Sequence, residues 1–282
     1  MLTRQIHSAT GCSLARCFSA AHVWLARAST LVLLILGCIS GQAGAQTESV
    51  ESEFDSWWTQ TKWRYTTGLD YSRGDYGLTE DTEIIYVPIS VEADFFPMRA
   101  RIMLPFLSID GPTGVLPGGG GTVSGTTRGL GQLVGSFGYL WMPPSQALPY
   151  LEFTGKVTAP TETSEDLGNG AWAFSLQVDP FKSFGRLLAF GRLGRKFYTG
   201  GTSDDRFYAS VGASFRLHER YRLGVAYDWY QASTDSVQDT HELSPYFGIK
   251  IGKHWSISPY GLIGLSDGAP DLGMGVTLSV RP

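Results

Sequence analysis

Beyond its first few dozen residues the chain alternates between apolar and polar positions. In "RYRLGVAYDWY", residues 220–230, every second position is apolar or aromatic: Tyr221, Leu223, Val225, Tyr227 and Trp229. The intervening set includes Arg222, Gly224, Ala226 and Asp228. Successive side chains of a strand point to opposite faces, so this stretch predicts a β-strand with one apolar and one polar face. "LEFTGKVTA" (151–159) sets Leu151, Phe153, Gly155, Val157 and Ala159 against Glu152, Thr154, Lys156 and Thr158. "WAFSLQVD" (172–179) sets Trp172, Phe174, Leu176 and Val178 against Ala173, Ser175, Gln177 and Asp179. Twelve such strands are expected, at 62–72, 82–92, 97–109, 129–142, 148–159, 170–180, 185–198, 205–217, 220–231, 240–252, 254–265 and 271–281. The third, seventh and eleventh alternate imperfectly.

The connections alternate in length. Short ones are "DFFP", "PPSQA", "FKSF", "HE" and a near-zero turn around Lys253. Longer polar ones are "RGDYGLTED", "GPTGVLPGGGGTVSGTTR", "TETSEDLGNG", "TGGTSD", "ASTDSVQDT" and "DGAPD". An even strand number with short turns at one end and long loops at the other is the layout of an outer-membrane barrel. The fold class expected is therefore all-β: a transmembrane antiparallel up-and-down β-barrel of about 12 strands. A closed barrel bonds every backbone group internally, as a bilayer demands. Its outward side chains meet lipid and its inward ones line a lumen. A soluble sandwich or lipocalin-like barrel could alternate in the same way, but rarely with such regular short and long connections. Aromatics cluster near strand ends, as interfacial girdles do: Trp63 and Tyr65, Phe95 and Phe96, Tyr139 and Trp141, Phe181 and Phe184, Trp229 and Tyr230, and Trp255.

The first 45 residues are of another kind. Arg4, Arg16 and Arg27 are their only formally charged side chains, followed by "LVLLILG" and an Ala43-Gly44-Ala45 site. This is the pattern of a secretory signal peptide, 1–45, cut after Ala45. "ILGC" offers the alternative of a lipid on Cys38. Cys12, Cys17 and Cys38 are the only cysteines, so the mature chain has neither a disulfide nor a thiolate metal site. Losing three arginines takes the formal net charge from −4 to −7. Charged residues make up only 17% and aromatics 13%, with 35 glycines, which suits short strands and tight turns and argues against a nucleic-acid partner. Residues 46–61 form an acidic periplasmic segment holding Phe54, Trp57 and Trp58, either a disordered leader or a piece entering the barrel. The chain ends "LSVRP", without the terminal aromatic that most outer-membrane barrels offer the assembly machinery, which is nonetheless an expected partner alongside outer-membrane lipid.

Candidate chemistry is sparse. His218 and His254 fall in short turns and His241 near the outer end of a strand, without ligand spacing, so neither metal nor cofactor is expected. A lipid-acting barrel enzyme would need a His and a Ser two residues apart on one face. Here Leu243 follows His241 at that spacing, and Ser244 falls on the other face, so no enzyme is expected. "GLGQLVG" lacks the following helix of a dinucleotide site, and "PGGGG" lacks the lysine of a phosphate loop. What remains is the lumen. The candidate lining residues are Arg64, Arg99, Arg101, Glu152, Lys156, Asp179, Arg206, Arg216, Arg222, Asp228, Glu242 and Lys250, joined by Asp70, Glu92, Arg192, Lys196 and Arg281. Cations exceed anions, which points to mild anion preference in a narrow polar passage, or to charges that pair across the lumen and plug it.

One stretch, "LEFTGKVTAPTETSEDLGNGAWAFSLQVDPFKSFGRLLAFGRLGRKF", has a strand with Lys156, a Pro160-Thr161 end, a loop closing Leu167-Gly168-Asn169-Gly170, a long strand, a short turn and a glycine-containing basic strand. It resembles the transporter-like outer-membrane family named for the meta-pathway of phenol degradation. Residues 150–197 carry the match, and Glu162 stands where that family usually has glycine. The resemblance implies a barrel of about twelve strands in the bacterial outer membrane that admits small, often aromatic or hydrophobic, solutes. The expected function is thus a channel or transporter for small solutes. The alternative is a structural or surface-interaction barrel with a plugged lumen.

Overall fold

The computed structural model describes residues 61–76, 81–111, 114–116, 119–121, 125–200, 203–232 and 238–282. The leader with its cleavage and lipidation sites, and the segment holding Phe54, Trp57 and Trp58, lie outside the described residues. The alternating segments become twelve antiparallel strands: β1 (Lys62–Gly74), β2 (Thr82–Phe95), β3 (Met98–Gly111), β4 in two pieces, β5 (Tyr150–Ala159), β6 (Ala173–Phe184), β7 (Leu187–Tyr198), β8 (Arg206–Arg216), β9 (Tyr221–Tyr230), β10 (Thr240–Ile251), β11 (Trp255–Gly264) and β12 (Leu272–Val280). The pieces of the fourth are β4a (Gly125–Leu130) and β4b (Leu133–Trp141). Each strand pairs with its sequence neighbour, and β12 returns to β1 with Tyr65 opposite Val280 and Arg73 opposite Leu272. The sheet is a closed barrel without a free edge, which is what a hydrocarbon solvent requires.

The outer surface is apolar. Ile102, Leu176 and Val211 are 62%, 66% and 62% exposed, whereas a soluble protein would bury such residues. The opposite positions of the same strands, Arg101, Gln177 and Ser210, face inward. A contiguous exposed apolar belt of this kind marks a membrane contact.

Several boundaries differ from the sequence-based expectation. "DFFP" and "FKSF" are not turns. Asp94 and Phe95 belong to β2, and Phe181 to Phe184 belong to β6, so the turns tighten to Phe96–Pro97 and Gly185–Arg186. Gly185 adopts φ 64°, a left-handed conformation open to glycine, and this permits the two-residue turn. The strand ends at Val280, so Arg281 is an exposed residue just beyond β12, at the short-turn mouth. Strand four starts at Gly125, earlier than expected, and the preceding loop contains a small hairpin of Gly114–Leu116 with Gly119–Gly121.

The barrel's buried apolar core sits inside its long-loop end, on one side. Ile84 of β2, Leu107 and Ile109 of β3, Tyr76 after β1, and Leu167 between β5 and β6 cluster there, with Tyr86 packed against them. Burial pushes the Tyr76 hydroxyl up to about 12, so it stays neutral, and it bonds Ser72 Oγ at 3.2 Å. Strand three alternates imperfectly because its inward face carries Met103, Pro105, Leu107 and Ile109 at this end.

The segment 160–170, expected as a surface loop, folds back onto the wall. It repairs the break in β4. Leu130 N donates to Thr163 Oγ1 at 3.1 Å, Leu133 N donates to Thr161 Oγ1 at 2.8 Å, and Thr163 N donates to Leu130 O at 3.0 Å. Glu162 accepts from Gly170 N at 2.7 Å and Gln132 Nε2 at 3.1 Å. The short 3-10 helix Glu165–Leu167 then delivers Leu167, 2% exposed, to the apolar cluster. A Cβ on Gly168 would stand 2.4 Å from Glu162 Oε1, so a larger residue there would displace the Glu162 carboxylate from its hydrogen bonds.

Candidate functional site: the barrel interior

The register sets inward side chains of neighbouring strands side by side, in rows perpendicular to the strands. One row reads Arg64, Glu92, Arg101, Ser136, Lys156, Ser175, Lys196, Arg206 across β1 to β8. Arg64 stands near the short-turn end of β1 and Arg206 at the long-loop end of β8. The row therefore climbs the inner wall as a spiral. With strands about 4.8 Å apart and tilted about 40°, seven steps climb about 20 Å, most of the roughly 25 Å apolar band of such barrels. A second row, nearer the short-turn end, begins with Glu152 and Asp179 and continues through Arg192, Ser210, Asp228 and Glu242. Between them runs a neutral row of Thr154, Gln177, Gly194, Tyr208, Tyr230 and Thr240.

Towards the short-turn end, the inward charges of β1 to β7 are ion-paired. Arg64 Nη1 meets Glu92 Oε1 at 2.6 Å, and Arg64 Nη2 meets Asp94 Oδ2 at 3.6 Å. Arg99 Nε meets Asp94 Oδ1 at 2.5 Å and Glu92 Oε1 at 3.5 Å, while its Nη1 reaches Glu152 Oε2 at 3.3 Å. That last bridge spans from β3 to β5 over Gly138, where a Cβ would come within 2.8 Å of Glu152 Oε1. In the second row, Arg192 Nε donates to Asp179 Oδ1 at 2.9 Å.

The climbing row is different. Arg101, Lys156, Lys196 and Arg206 have no carboxylate within 4.0 Å among the described residues; the bridges all lie elsewhere. Instead they meet aromatic faces or sulfur. Lys156 Nζ lies 5.8 Å from the Tyr208 ring, Lys196 Nζ 4.7 Å from the Tyr198 ring, and the Arg206 guanidinium 5.9 Å from the Tyr230 ring. Arg101 Nη2 points at Met103 Sδ, 3.9 Å away. Lys156 on β5 and Tyr208 on β8 are three strands apart, so their contact runs through the interior. Tyr208 lies flat over Gly194, where a Cβ would strike its ring at 2.3 Å, and donates from its hydroxyl to Gln177 Oε1 at 3.0 Å. Tyr246 covers Gly224 and Tyr260 covers Gly275 in the same way.

The remaining candidates are spread out. Arg216 and Arg222 stand opposite each other, exposed, at the short-turn mouth, with exposed Lys250 near them on β10. Asp228 pairs in register with Glu242, and Asp70 with Tyr86. His241 faces outward, where its Nδ1 meets Tyr227 OH at 2.6 Å, and Ser244 is on the inward face of β10. His254 Nδ1 lies 2.6 Å from Arg281 O. Among the described residues no three His, Cys, Asp or Glu side chains converge as metal ligands. Sequence reasoning did not assign a role to the inward tyrosines, because the alternation does not show which residues of other strands lie beside them. The glycine opposite each tyrosine in register is the signal that distinguishes them.

No curated protein sequence matches the chain. Among solved structures, it is similar to the monoaromatic hydrocarbon channel CymD, at 12% identity over 86% of this chain and 92% of that one, with a TM-score of 0.43. It is also similar to the toluene transporter TodX of Pseudomonas putida, at 9% identity over 78% and 88%, with a TM-score of 0.43. The translocator domain of the autotransporter NalP from Neisseria meningitidis matches at 12% identity over 84% and 94%, with a TM-score of 0.45. A family profile matches residues 89–281, from the middle of β2 to the end of the barrel. By that match over more than half its length, the chain belongs to the family described as the MetA-pathway of phenol degradation.

Proposed function

We propose that this barrel is a bacterial outer-membrane channel for small solutes, aromatic compounds among them. The observation that carries the reading is the interior. Arg192, at the middle of β7, points inward and is ion-paired, yet 43% of its side-chain surface stays accessible. A lumen filled by its own side chains, as in the narrowest barrels, leaves no such room. The apolar exterior supports lipid as the surrounding solvent, and the family's name supports aromatic solutes. On this reading residues 1–45 are a cleaved leader, 46–61 a periplasmic segment and 62–282 the membrane barrel. Outer-membrane lipid and the assembly machinery are its partners, and Arg64, Arg101, Lys156, Asp179, Arg206, Asp228 and Glu242 line the passage. The apolar cluster at the long-loop end favours one competing reading, a plugged structural barrel. Liposome swelling separates them: uptake of sugars, amino acids or phenolic acids is expected, and uptake of none of them by a correctly folded barrel overturns the channel.

A further inference from the structure

We infer that the solute class this interior selects is a small aromatic anion, a flat ring bearing a carboxylate or an equivalent negative group, held and passed on by the climbing cationic row. The inference rests on the channel reading and narrows it from any small solute to one chemistry.

The charges of the interior are segregated. On β5, Lys156 belongs to the climbing row and Glu152 to the row nearer the short turns; on β6, Ser175 and Asp179 divide in the same way. Four residues along a strand are about 13 Å, well beyond ion-pair reach. The carboxylates are also engaged: Asp179 holds Arg192, and Glu152 holds Arg99. Beyond the Arg64–Glu92 pair, Arg101, Lys156, Lys196 and Arg206 therefore have no carboxylate at ion-pair distance among the described residues. A cation withdrawn from bulk water is costly unless an anion accompanies it, so the row favours anions from solution.

The neighbours of those cations set the rest of the chemistry. Lys156 and Arg206 lie over the rings of Tyr208 and Tyr230, and these two rings stack on each other at 6.4 Å with 26° between their planes. A solute that is only an anion would use the ammonium groups and leave the rings unused. A ring bearing an anionic group uses both, with its charge on the lysine and its face against tyrosine. The row also repeats the arrangement. Lys156 and Lys196 are two strands apart, about 10 Å, and Arg206 is one strand further. Several weak sites in succession let a solute move on without being trapped, which conduction requires.

The test uses the full-length protein, refolded into planar bilayers. Under a KCl gradient the reversal potential is expected to show anion selectivity. Benzoate is expected to bind inside and reduce the chloride current at about fivefold lower concentration than acetate, the gain from one aromatic contact. Benzylammonium is expected to have no such effect. The double variant Lys156→Met with Lys196→Met should lose the anion selectivity and the benzoate block together. Tyr208→Leu keeps the cations, so it should retain anion selectivity and lose the preference for benzoate over acetate. Folding of each variant is read from its heat-modifiable mobility. A folded barrel that conducts without anion selectivity, or blocks equally with acetate and benzoate, overturns this inference and leaves the channel reading standing. A preference for benzylammonium would assign transport to the Asp228 and Glu242 row instead and overturns it too. A folded wild-type barrel with no current overturns the channel reading itself.

Discussion

Val225 and Ala226 are adjacent residues in two solvents. Val225, at the middle of β9, is 41% exposed on the outer face, while Ala226 faces inward opposite Gly212 and Ser244. An arginine at Val225 would sit near the bilayer midplane at a cost of about 2–4 kcal/mol, so Val225→Arg is expected to lower the yield of membrane-assembled barrel. Ala226→Arg should assemble normally and change conductance and ion selectivity, because its charge stays in the lumen. Heat-modifiable mobility of membrane fractions and bilayer recordings read the two effects. Equal tolerance at both positions would mean the faces are reversed. Period two alone made this pair legible. It did not reveal that Tyr208, Tyr246 and Tyr260 lie over glycines of neighbouring strands, since that depends on register.

At the scale of elements, the most informative one is irregular. The Pro160-Thr161-Glu162 to Gly170 segment looks in sequence like one more polar external loop, and its composition is that of a turn. In the structure Thr161 and Thr163 supply the hydrogen bonds that β4 loses at its break, and Leu167 enters the apolar cluster. Within the stretch that carries the family resemblance, the residues from Pro160 to Gly170 thus serve as a strand repair and an inward anchor. Leu167→Ala is expected to cost about 2–5 kcal/mol, as buried leucine truncations do, and to lower the unfolding temperature in detergent. Because the cluster occupies part of the long-loop mouth, the same variant should raise single-channel conductance. A stability loss with unchanged conductance would show that the cluster lies outside the conducting path.

For the whole molecule, closure is the decisive property, and it depends on the seam between β12 and β1. Gly275 of β12 lies opposite Asp70 of β1 and Tyr260 of β11. A Cβ there would stand 2.3 Å from Asp70 Oδ1 and 2.5 Å from the Tyr260 ring. Gly275→Val therefore crowds the pairing that closes the barrel and is expected to leave a larger fraction of barrel unclosed, running at the unfolded position on unheated gels. Gly155→Val is the matched control: it is outward on β5 with nothing within 4 Å of its added Cβ, and it should close normally. If both variants close equally well, the seam tolerates the added bulk and the crowding has no consequence for assembly.

Taken alone, the sequence determined the strand count, the direction of both faces and the short and long ends, because these follow from a period of two and from where polar residues interrupt it. It also supplied the charged residues that face inward. It could not align them. Which inward residue stands beside which depends on the register of every strand pair, and register is a long-range property fixed only when the sheet closes. Tertiary structure alone therefore decided that Arg101, Lys156, Lys196 and Arg206 lie in one climbing row without ion pairs, while Arg64 and Arg99 are neutralised by Glu92, Asp94 and Glu152. The same closure decided that a polar loop turns inward, since only a closed wall offers it an interior to enter.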